Sequence, residues 1–271
     1  MARKTPKKSH AKKVPAKRLP PNKAPASKAP AKKAPTDDFM PRVPSGIPGL
    51  DPLIEGGFVK NSSILVRGDT GAAKTLFCLQ YLHHGARFAD EPGVYISFAE
   101  SKEAIYNHGL QFGWDFRGLT KEKKFEVIRY EPHEVVKIME EGGGLIRDTV
   151  ESIGAKRITI DSLTAYEMFF ENRYKANQSV LSLFELLKKW EVTSLVTAEL
   201  AVSLNRESSD RLGFLTEGII NLYHARRHTA RVRALEIIKM RDTAHDEAVN
   251  LFTISKGGLR VFKGLREIER S

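Results

Sequence analysis

From about residue 37 onwards, short apolar runs alternate with longer stretches in which apolar residues recur at helical spacing. The short runs are typical of buried strands, and the longer stretches are typical of helices that cover a sheet. The predicted strands are Ser63–Arg67, Val94–Phe98, Phe125–Tyr130, Arg157–Ile160 and Thr193–Thr197. The predicted helices are Lys74–Phe88, Ser101–Phe112, one that ends near Ile153, and Val180–Trp190. This alternation predicts an α/β fold with a mostly parallel central sheet and helices on both faces.

The pattern changes after Gly218, where strand-like segments follow one another without intervening helices. These segments are Ile219–Tyr223, Val232–Met240, Ala248–Ile254 and Leu259–Phe262. Consecutive strands joined by short loops form antiparallel pairs, so we expect C-terminal β-hairpins at one edge of the sheet.

Residues 1–36 differ from the rest of the chain in composition. They contain ten lysines, two arginines, seven of the 13 prolines and no acidic residue. The net charge of the chain is +11, so these residues carry +12 and the remainder carries −1. A segment with so little to bury and so much proline is predicted to be a disordered basic tail, followed by one folded domain over residues 37–271.

Several partners suit such a tail. Lysine-rich segments bind DNA through its phosphates without reading the base sequence. Anionic lipid and an acidic protein are alternative partners, and a charged tail also keeps a domain in solution. The composition leaves these alternatives open, and it names no protein partner.

Other features of the composition bear on location. The lone cysteine, Cys78, argues against a disulfide framework. No apolar run is long enough for a transmembrane segment, and no secretory signal follows the basic N-terminus. We therefore expect a cytoplasmic protein, associated with the nucleoid if the tail binds DNA.

A phosphate-binding loop is predicted between the first strand and the first helix, over the segment GDTGAAKT. Its candidate nucleotide-binding residues are Gly68, Asp69, Thr70, Gly71, Ala72, Ala73, Lys74, Thr75 and Leu76. Backbone N–H groups of such a loop bind phosphate oxygens, Lys74 would reach the β and γ phosphates of ATP, and Thr75 would help to hold Mg²⁺. Ala73 departs from the usual glycine, and a positive φ there would cost about 1 to 2 kcal/mol.

Two carboxylates are further candidates. Asp161 ends a predicted strand, from which it could hold Mg²⁺ beside Thr75, or it could simply cap the next turn. Glu100 follows the strand Val94–Phe98 at the edge of the sheet where open α/β proteins bind ligands. It is a candidate to polarise an attacking water, although a surface acid near a helix start is the alternative.

At this point several segments together resemble a known family. RVPSGIPGLDPLIEGGF, GDTGAAKTLFCLQYL, VYISFAES, FGWDF, KRITIDSLTA and EIIKMRDTAH occur in the order typical of the KaiC-like branch of RecA-type ATPases. The resemblance extends from about Arg42 to Phe262. It implies a RecA-like P-loop NTPase fold and a single-domain member, since KaiC itself has two such domains in tandem.

The resemblance also implies an ATPase that assembles as a homo-oligomeric ring, often a hexamer, with nucleotide between subunits. Lys239, Arg241 and His245 would then act on the nucleotide of the neighbouring subunit. Without the resemblance, these residues read as exposed polar positions of an edge hairpin.

Departures from the family pattern bear on catalysis. The family usually has two adjacent glutamates where this chain has Ala99 and Glu100. Glu199 matches a polar position near the γ phosphate and is a weaker catalytic candidate than Glu100. Gly213 and Phe214 align near the phosphorylated pair of KaiC and cannot accept phosphate, so autokinase activity is not expected. Phe112 or Trp114 could lie near the adenine, or could be core aromatics.

Three functions therefore compete. The first is a slowly hydrolysing, ring-forming ATPase that regulates partners through its nucleotide state. The second is a DNA-associated RecA paralogue that uses the basic tail. The third is a nucleotide-sensing scaffold without catalysis, suggested by Ala73 and Ala99.

Overall fold

The computed structural model describes residues 40–131, 134, 144–199, 212–227 and 230–264. The predicted disordered tail over residues 1–36 lies outside the described residues. Within the described ranges, no helix is long and apolar enough to cross a membrane.

The centre of the domain is a nine-stranded sheet in the order β11-β10-β9-β8-β3-β7-β6-β4-β5. Its strands are β3 (Ser63–Gly68), β4 (Gly93–Ser97), β5 (Phe125–Arg129), β6 (Arg157–Asp161), β7 (Thr193–Glu199), β8 (Gly218–Arg227), β9 (Ala230–Met240), β10 (Asn250–Ser255) and β11 (Gly258–Phe262). The strands from β5 to β8 in this order pair in parallel, and β8 to β11 pair antiparallel. The predicted parallel sheet and the C-terminal hairpins at its edge are confirmed.

Helices cover both faces of this sheet, as the alternating pattern predicts. They are α1 (Lys74–Phe88), α2 (Lys102–Gln111), α3 (Phe116–Lys121), α4 (Gly144–Ile153), α5 (Leu163–Glu167) and α6 (Arg173–Lys189). The helices α1 to α3 contribute to one hydrophobic core, and α4 to α6 contribute to the other. Strand β3 serves both cores, because Ile64 and Val66 point to the first core and Leu65 points to the second.

A small antiparallel pair precedes the sheet. It joins β1 (Arg42–Val43) to β2 (Phe58–Val59), with a 3-10 turn at Asp51–Ile54 between them. The Arg42 side chain ties this pair to the end of β9, since its guanidinium donates to Thr243 Oγ1 at 2.6 Å and to the Asp242 carbonyl at 2.9 Å.

Helices α3 and α5 are absent from the sequence prediction, and α6 begins at Arg173 rather than near Val180. Helices α3 and α5 are only six and five residues long, which is too short for a periodic signal. The first turns of α6 are polar and mostly exposed, so they lack the apolar positions that mark the rest of that helix. The Asn172 side chain begins the helix by accepting a hydrogen bond from the Lys175 N–H at 3.0 Å.

Candidate nucleotide-binding site

A cavity of about 430 Å³ opens at the carboxyl ends of β3, β4, β6 and β7. Its lining includes Thr70, Gly71, Ala73, Lys74, Thr75, Leu76, Glu100, Asp161 and Glu199 from the sequence prediction. Leu79, His108, Gln111, Phe112 and Ser162 also line it. Parallel strands present their carboxyl ends at one edge, which is where open α/β sheets bind ligands. Residues that are distant in the sequence therefore meet at one place.

The loop between β3 and α1 has the backbone of a phosphate cradle. Gly71 has φ of +82° and Ala73 has φ of +76° with ψ of 29°, so Ala73 adopts the left-handed conformation that the missing glycine would favour. A side chain at Gly68 would collide with the Leu222 carbonyl oxygen, which lies 2.6 Å from the position of its Cβ. Gly68 and Ala72 are buried beneath the loop, whereas Asp69, Thr70 and Gly71 are exposed.

Lys74 is the first residue of α1, and its side chain is only 9% exposed. Its ammonium donates to the Gly68 carbonyl at 2.7 Å, to the Asp69 carbonyl at 3.2 Å and to Glu199 Oε1 at 2.8 Å. The side chain thus folds back over the loop, with its charge at the floor of the cavity. A phosphate that entered the cavity would compete with these oxygens for the ammonium.

Asp161 lies at the end of β6 beside the start of α1. Its Oδ2 accepts hydrogen bonds from Thr75 Oγ1 and from the Tyr95 hydroxyl, each at 2.6 Å, and its Oδ1 accepts from Thr197 Oγ1 at 2.6 Å. Burial, followed by the charge of Asp161, raises the pKa of Tyr95 well above its usual value, so Tyr95 stays a hydrogen-bond donor. Three hydroxyl groups from α1, β4 and β7 therefore hold this carboxylate in one orientation.

The geometry around Asp161 suits a magnesium ion. The Thr75 hydroxyl and the Asp161 carboxylate place two oxygens side by side at the cavity floor, and Mg²⁺ prefers oxygen ligands completed by water and substrate phosphates. Within the part of the chain that the structure describes, no cluster of three or more His, Cys, Asp or Glu side chains could hold a metal alone. A magnesium ion here would accordingly depend on nucleotide phosphates for its remaining ligands.

Glu100 faces the same cavity from the turn between β4 and α2. The Ser97 hydroxyl accepts a hydrogen bond from the Glu100 N–H at 2.9 Å, which fixes the backbone of this turn. Glu100 Oε2 lies 3.2 Å from His108 Nδ1, and both side chains are about two-fifths exposed (39% and 43%). A carboxylate in this position is accessible to a water molecule that occupies the cavity.

Lys239, Arg241 and His245 lie outside this cavity. Lys239 pairs with Ile219 at the start of β8, which runs parallel to the start of β3. The phosphate loop follows Gly68 at the other end of β3, which lies three residues, or about 10 Å along the strand, beyond Leu65, the partner of Ile219. The Lys239 ammonium donates to the Gly213 and Thr216 carbonyls, each at 2.6 Å. Burial, followed by the charge of Arg241, lowers the pKa of Lys239.

The sequence comparisons identify the family of this chain. The family described as ATPase: KaiC matches residues 43–266, a range that contains every candidate site residue. The chain belongs to the KaiC family of ATPases. The KaiC-like identity predicted from the motifs is thereby confirmed, together with the RecA-like fold.

Three KaiC-family relatives illustrate the match. A circadian clock oscillator protein KaiC from Prochlorococcus marinus is 32% identical over an alignment of 230 residues, and the match covers 82% of this chain and 46% of that protein. A UPF0273 protein from Methanocaldococcus jannaschii is 28% identical over an alignment of 240 residues, and the match covers 82% of this chain and 97% of that protein. A crystal structure of a KaiC-like protein from Pyrococcus horikoshii superposes with a TM-score of 0.75 at 32% identity, and covers 83% of this chain and all of that one (100%). This chain thus spans about half the length of the Prochlorococcus KaiC.

Sequence reasoning missed some residues of the site. His108 and Gln111 lie one turn apart on α2, and both face the cavity, but neither belongs to a recognised phosphate-binding motif. Tyr95 reads as an ordinary apolar strand residue until its hydroxyl is placed on Asp161. Of the two aromatic candidates, Phe112 lines the cavity, whereas Trp114 is 6% exposed and packs in the core.

Proposed function

We propose that this KaiC-family domain binds ATP with Mg²⁺ in the cavity and hydrolyses it slowly. The observation that carries the proposal is the convergence of the phosphate loop, the Thr75–Asp161 pair and Glu100 on one cavity. The family match supports ATPase chemistry for the same residues. Slow turnover is proposed because Ala99 replaces one of the two glutamates expected from the family pattern.

Each side chain has a distinct role in this proposal. Lys74 leaves its carbonyl and carboxylate partners and binds the β and γ phosphates. Thr75 and Asp161 hold Mg²⁺, which neutralises charge on the phosphates when it is bound. Glu100 orients the attacking water and accepts its proton. Glu199 lies close enough to Lys74 to sense whether a γ phosphate is present.

Phe112 and Gln111 suit the other end of the nucleotide. Both line the cavity on the side formed by α2, away from the Asp161 floor. An aromatic ring offers a stacking surface for a base, and a carboxamide offers a donor and an acceptor. We assign the adenine to this end of the cavity.

The position of Lys239 and Arg241 supports a ring of identical subunits. These cations lie at the edge of the sheet opposite the phosphate loop of the same chain. One chain therefore carries the phosphate loop at one edge of the sheet and these cations at the opposite edge. When the cations of one copy contact the phosphate loop of the next, the interface is head-to-tail, and repeated contacts of this kind can close into a ring. In this arrangement Lys239, Arg241 and His245 complete the nucleotide site of the neighbour, and the family resemblance favours six subunits. Nucleotide state would then alter the subunit contacts and hence the binding of partners.

Subunit mixing tests both parts of the proposal. Lys74→Ala and Arg241→Ala should each abolish ATP turnover, one through the subunit's own site and one through its neighbour's. Mixing the two inactive proteins should restore part of the activity, because some interfaces then combine an intact loop with an intact Arg241. Size-exclusion chromatography with light scattering, with and without ATP and Mg²⁺, measures assembly. Turnover by a persistent monomer would refute the ring, and absence of ATP binding would refute the proposal as a whole.

A second candidate function rests on the charge of +12 over residues 1–36. A tail of this composition could hold the ATPase on DNA through phosphate contacts that ignore sequence. DNA binding by the full chain should then weaken steeply as salt rises, and it should fall strongly when residues 1–36 are removed. Unchanged binding after removal would exclude the tail as the DNA-binding element.

A further inference from the structure

The loop that follows β9 carries two of the residues proposed to act on the neighbouring subunit. Residues 241–249 join β9 to β10 without forming a helix or a strand, and they are here called the β9–β10 loop. Arg241 and His245 lie in this loop, and the Arg241 side chain is exposed. A loop that lacks the hydrogen bonds of a helix or sheet takes its position from the contacts that it makes with neighbouring elements.

Thr243 is the centre of the β9–β10 loop. Its hydroxyl donates to the Arg241 carbonyl at 3.1 Å, and its own carbonyl accepts from the His245 N–H at 3.0 Å. Asp242 has a φ of +55°, so the chain turns sharply between Arg241 and Thr243. The backbone of Arg241 and the backbone of His245 are therefore both tied to Thr243.

Arg42 holds the β9–β10 loop at this centre. Its Nη1 donates to Thr243 Oγ1 at 2.6 Å, and its Nη2 donates to the Asp242 carbonyl and to Glu55 Oε2, each at 2.9 Å. Glu55 lies in the turn before β2, so the guanidinium bridges the N-terminal strand pair and the loop. A planar guanidinium presents its donors in a fixed fork, whereas a lysine ammonium is a compact point charge. Arg42 therefore orients two adjacent residues of the loop at once.

The N-terminal strand pair gives this contact a firm support. Val43 of β1 and Phe58 of β2 are both buried in the first hydrophobic core. The segment between the two strands contacts the loop a second time, because the Leu53 carbonyl accepts from the Asp246 N–H at 2.9 Å. The two contacts lie on either side of His245 along the chain.

The contacts of Arg42 bear more on the position of the loop than on the stability of the domain. Arg42 is 19% exposed and its partner Glu55 is 48% exposed, and an ion pair with a half-exposed carboxylate contributes little to stability. The cores that hold the domain together are apolar. Loss of the guanidinium should therefore release the β9–β10 loop while the domain stays folded.

We propose that Arg42 is a positioning residue, which acts on the nucleotide of the neighbouring subunit through the β9–β10 loop. The inference rests on the proposed ring, in which Arg241 and His245 complete the neighbour's site. Arg42 does not line the cavity of its own chain, so that cavity should keep its phosphate loop intact in an Arg42 variant. A displacement of about 1 Å in a group that contacts the reacting phosphates can lower turnover about 100-fold.

Subunit mixing shows on which side of the interface Arg42 acts. Full-length Arg42→Gln should lower ATP turnover by about 10- to 100-fold. Mixed in equal amounts with Lys74→Ala, it should regain turnover, because about one interface in four then combines its intact phosphate loop with an undisturbed β9–β10 loop. Mixed with Arg241→Ala, it should gain nothing, because every subunit then contributes a defective β9–β10 loop. Arg117→Gln is the matched control, since it breaks another exposed Arg–Glu pair and should leave turnover unchanged.

Arg42→Lys separates lost positioning from lost folding. It keeps the charge beside Glu55 and loses the fork, so its urea midpoint should match that of the unchanged protein. Its turnover should fall by less than that of Arg42→Gln, with the same pattern of rescue. If Lys74→Ala rescues neither Arg42 variant, the proposal is wrong.

Other outcomes would also overturn the proposal. Undiminished turnover by Arg42→Gln, or rescue by Arg241→Ala in place of Lys74→Ala, would remove Arg42 from the neighbour's site. The mixture of Lys74→Ala with Arg241→Ala separates this inference from the proposed ring. Absence of rescue in that mixture would refute the ring itself. Rescue there, without rescue of Arg42→Gln by Lys74→Ala, would refute the role of Arg42 alone.

Discussion

Lys74 Nζ lies 2.8 Å from Glu199 Oε1, so the loop lysine that should bind phosphate is already paired with a carboxylate. Glu199 is 42% exposed, whereas Lys74 is 9% exposed, and Glu199 lines the cavity into which the proposed triphosphate would enter. A half-exposed ion pair contributes little to stability, yet its negative charge opposes an incoming triphosphate. The pair therefore bears on nucleotide affinity more than on folding.

Glu199→Gln should accordingly tighten ATP binding by about 2- to 5-fold, because the ammonium loses a competitor and the phosphates lose a repelling charge. Isothermal titration calorimetry with ATP and Mg²⁺ measures this change. Glu103→Gln is the matched control, since Glu103 pairs with Arg117 on the outer surface of α2 and α3. Weaker ATP binding by Glu199→Gln would show that the carboxylate assists the nucleotide instead.

Ala73→Gly should leave the free energy of unfolding unchanged or raise it by up to about 1 kcal/mol. Alanine at φ of +76° carries strain of about 1 to 2 kcal/mol, and glycine removes that strain while adding about 0.5 to 1 kcal/mol of unfolded-state entropy. Ala104→Gly within α2 has no strain to relieve and should cost about 1 kcal/mol. Urea unfolding compares the two, and equal losses would refute the strain at Ala73.

His108→Gln should lower ATP turnover by a smaller factor than the loss of Glu100 does. His108 Nδ1 lies 3.2 Å from Glu100 Oε2, so His108 helps to hold the carboxylate that is proposed to orient the attacking water. The other charged groups of the cavity, Lys74, Asp161 and Glu199, stay in place in this variant, so ATP affinity should be retained. Steady-state ATP turnover measures the change.

Glu100→Gln is the companion variant, and it should lower turnover by about 100-fold or more with ATP affinity retained. Turnover of His108→Gln equal to that of the unchanged protein would remove His108 from control of Glu100.

Stability should fall in mild acid because of His83. Burial, followed by the charges of His84 and Arg87, lowers its pKa from 6.5 to about 4. The unfolded chain then binds a proton at higher pH than the folded chain does, so stability is intact above about pH 6.5 and is lost as pH falls towards 4. The loss should be about 1 to 2 kcal/mol after allowance for solvent screening.

His83→Phe keeps an aromatic ring against Trp114, which stacks on His83 at a centroid distance of 5.3 Å, but removes the titration. Urea unfolding between pH 7.5 and 4.5, followed by Trp fluorescence, should show a shallower decline in this variant. An identical decline in both proteins would assign the acid sensitivity to other groups.

Much of this fold was predictable because the sequence patterns that indicate its strands, loops and helices lie within short segments of the chain. The apolar run Ile64–Val66, the glycines of the loop and the periodic residues of α1 define a strand, loop and helix without reference to the rest of the chain. The short helices α3 and α5 escaped prediction because five or six residues hold too few apolar positions to show a period.

The site was predictable only as separate pieces. Lys74, Thr75 and Asp161 were identified from their motifs, and the structure joins the latter two at 2.6 Å. Tyr95 and His108 carried no motif, because their roles depend on which strand or helix lies opposite them. In the sequence, Ala73 stands where the phosphate-loop motif usually has glycine. In the structure, this alanine has a positive φ of +76°, the conformation that glycine adopts more readily.

The sequence by itself therefore determined the α/β class, the phosphate loop and the KaiC-like identity, since each of these depends on residues that are neighbours along the chain. The tertiary structure decided which side chains meet. Pairing between β3, β6 and β7 brought Asp161 to Thr75 and Glu199 to Lys74, and pairing between β8 and β9 placed His224, Arg231 and Arg233 on one face. The register between paired strands determines which of these side chains are in contact, and the register depends on contacts between segments that are far apart in the chain.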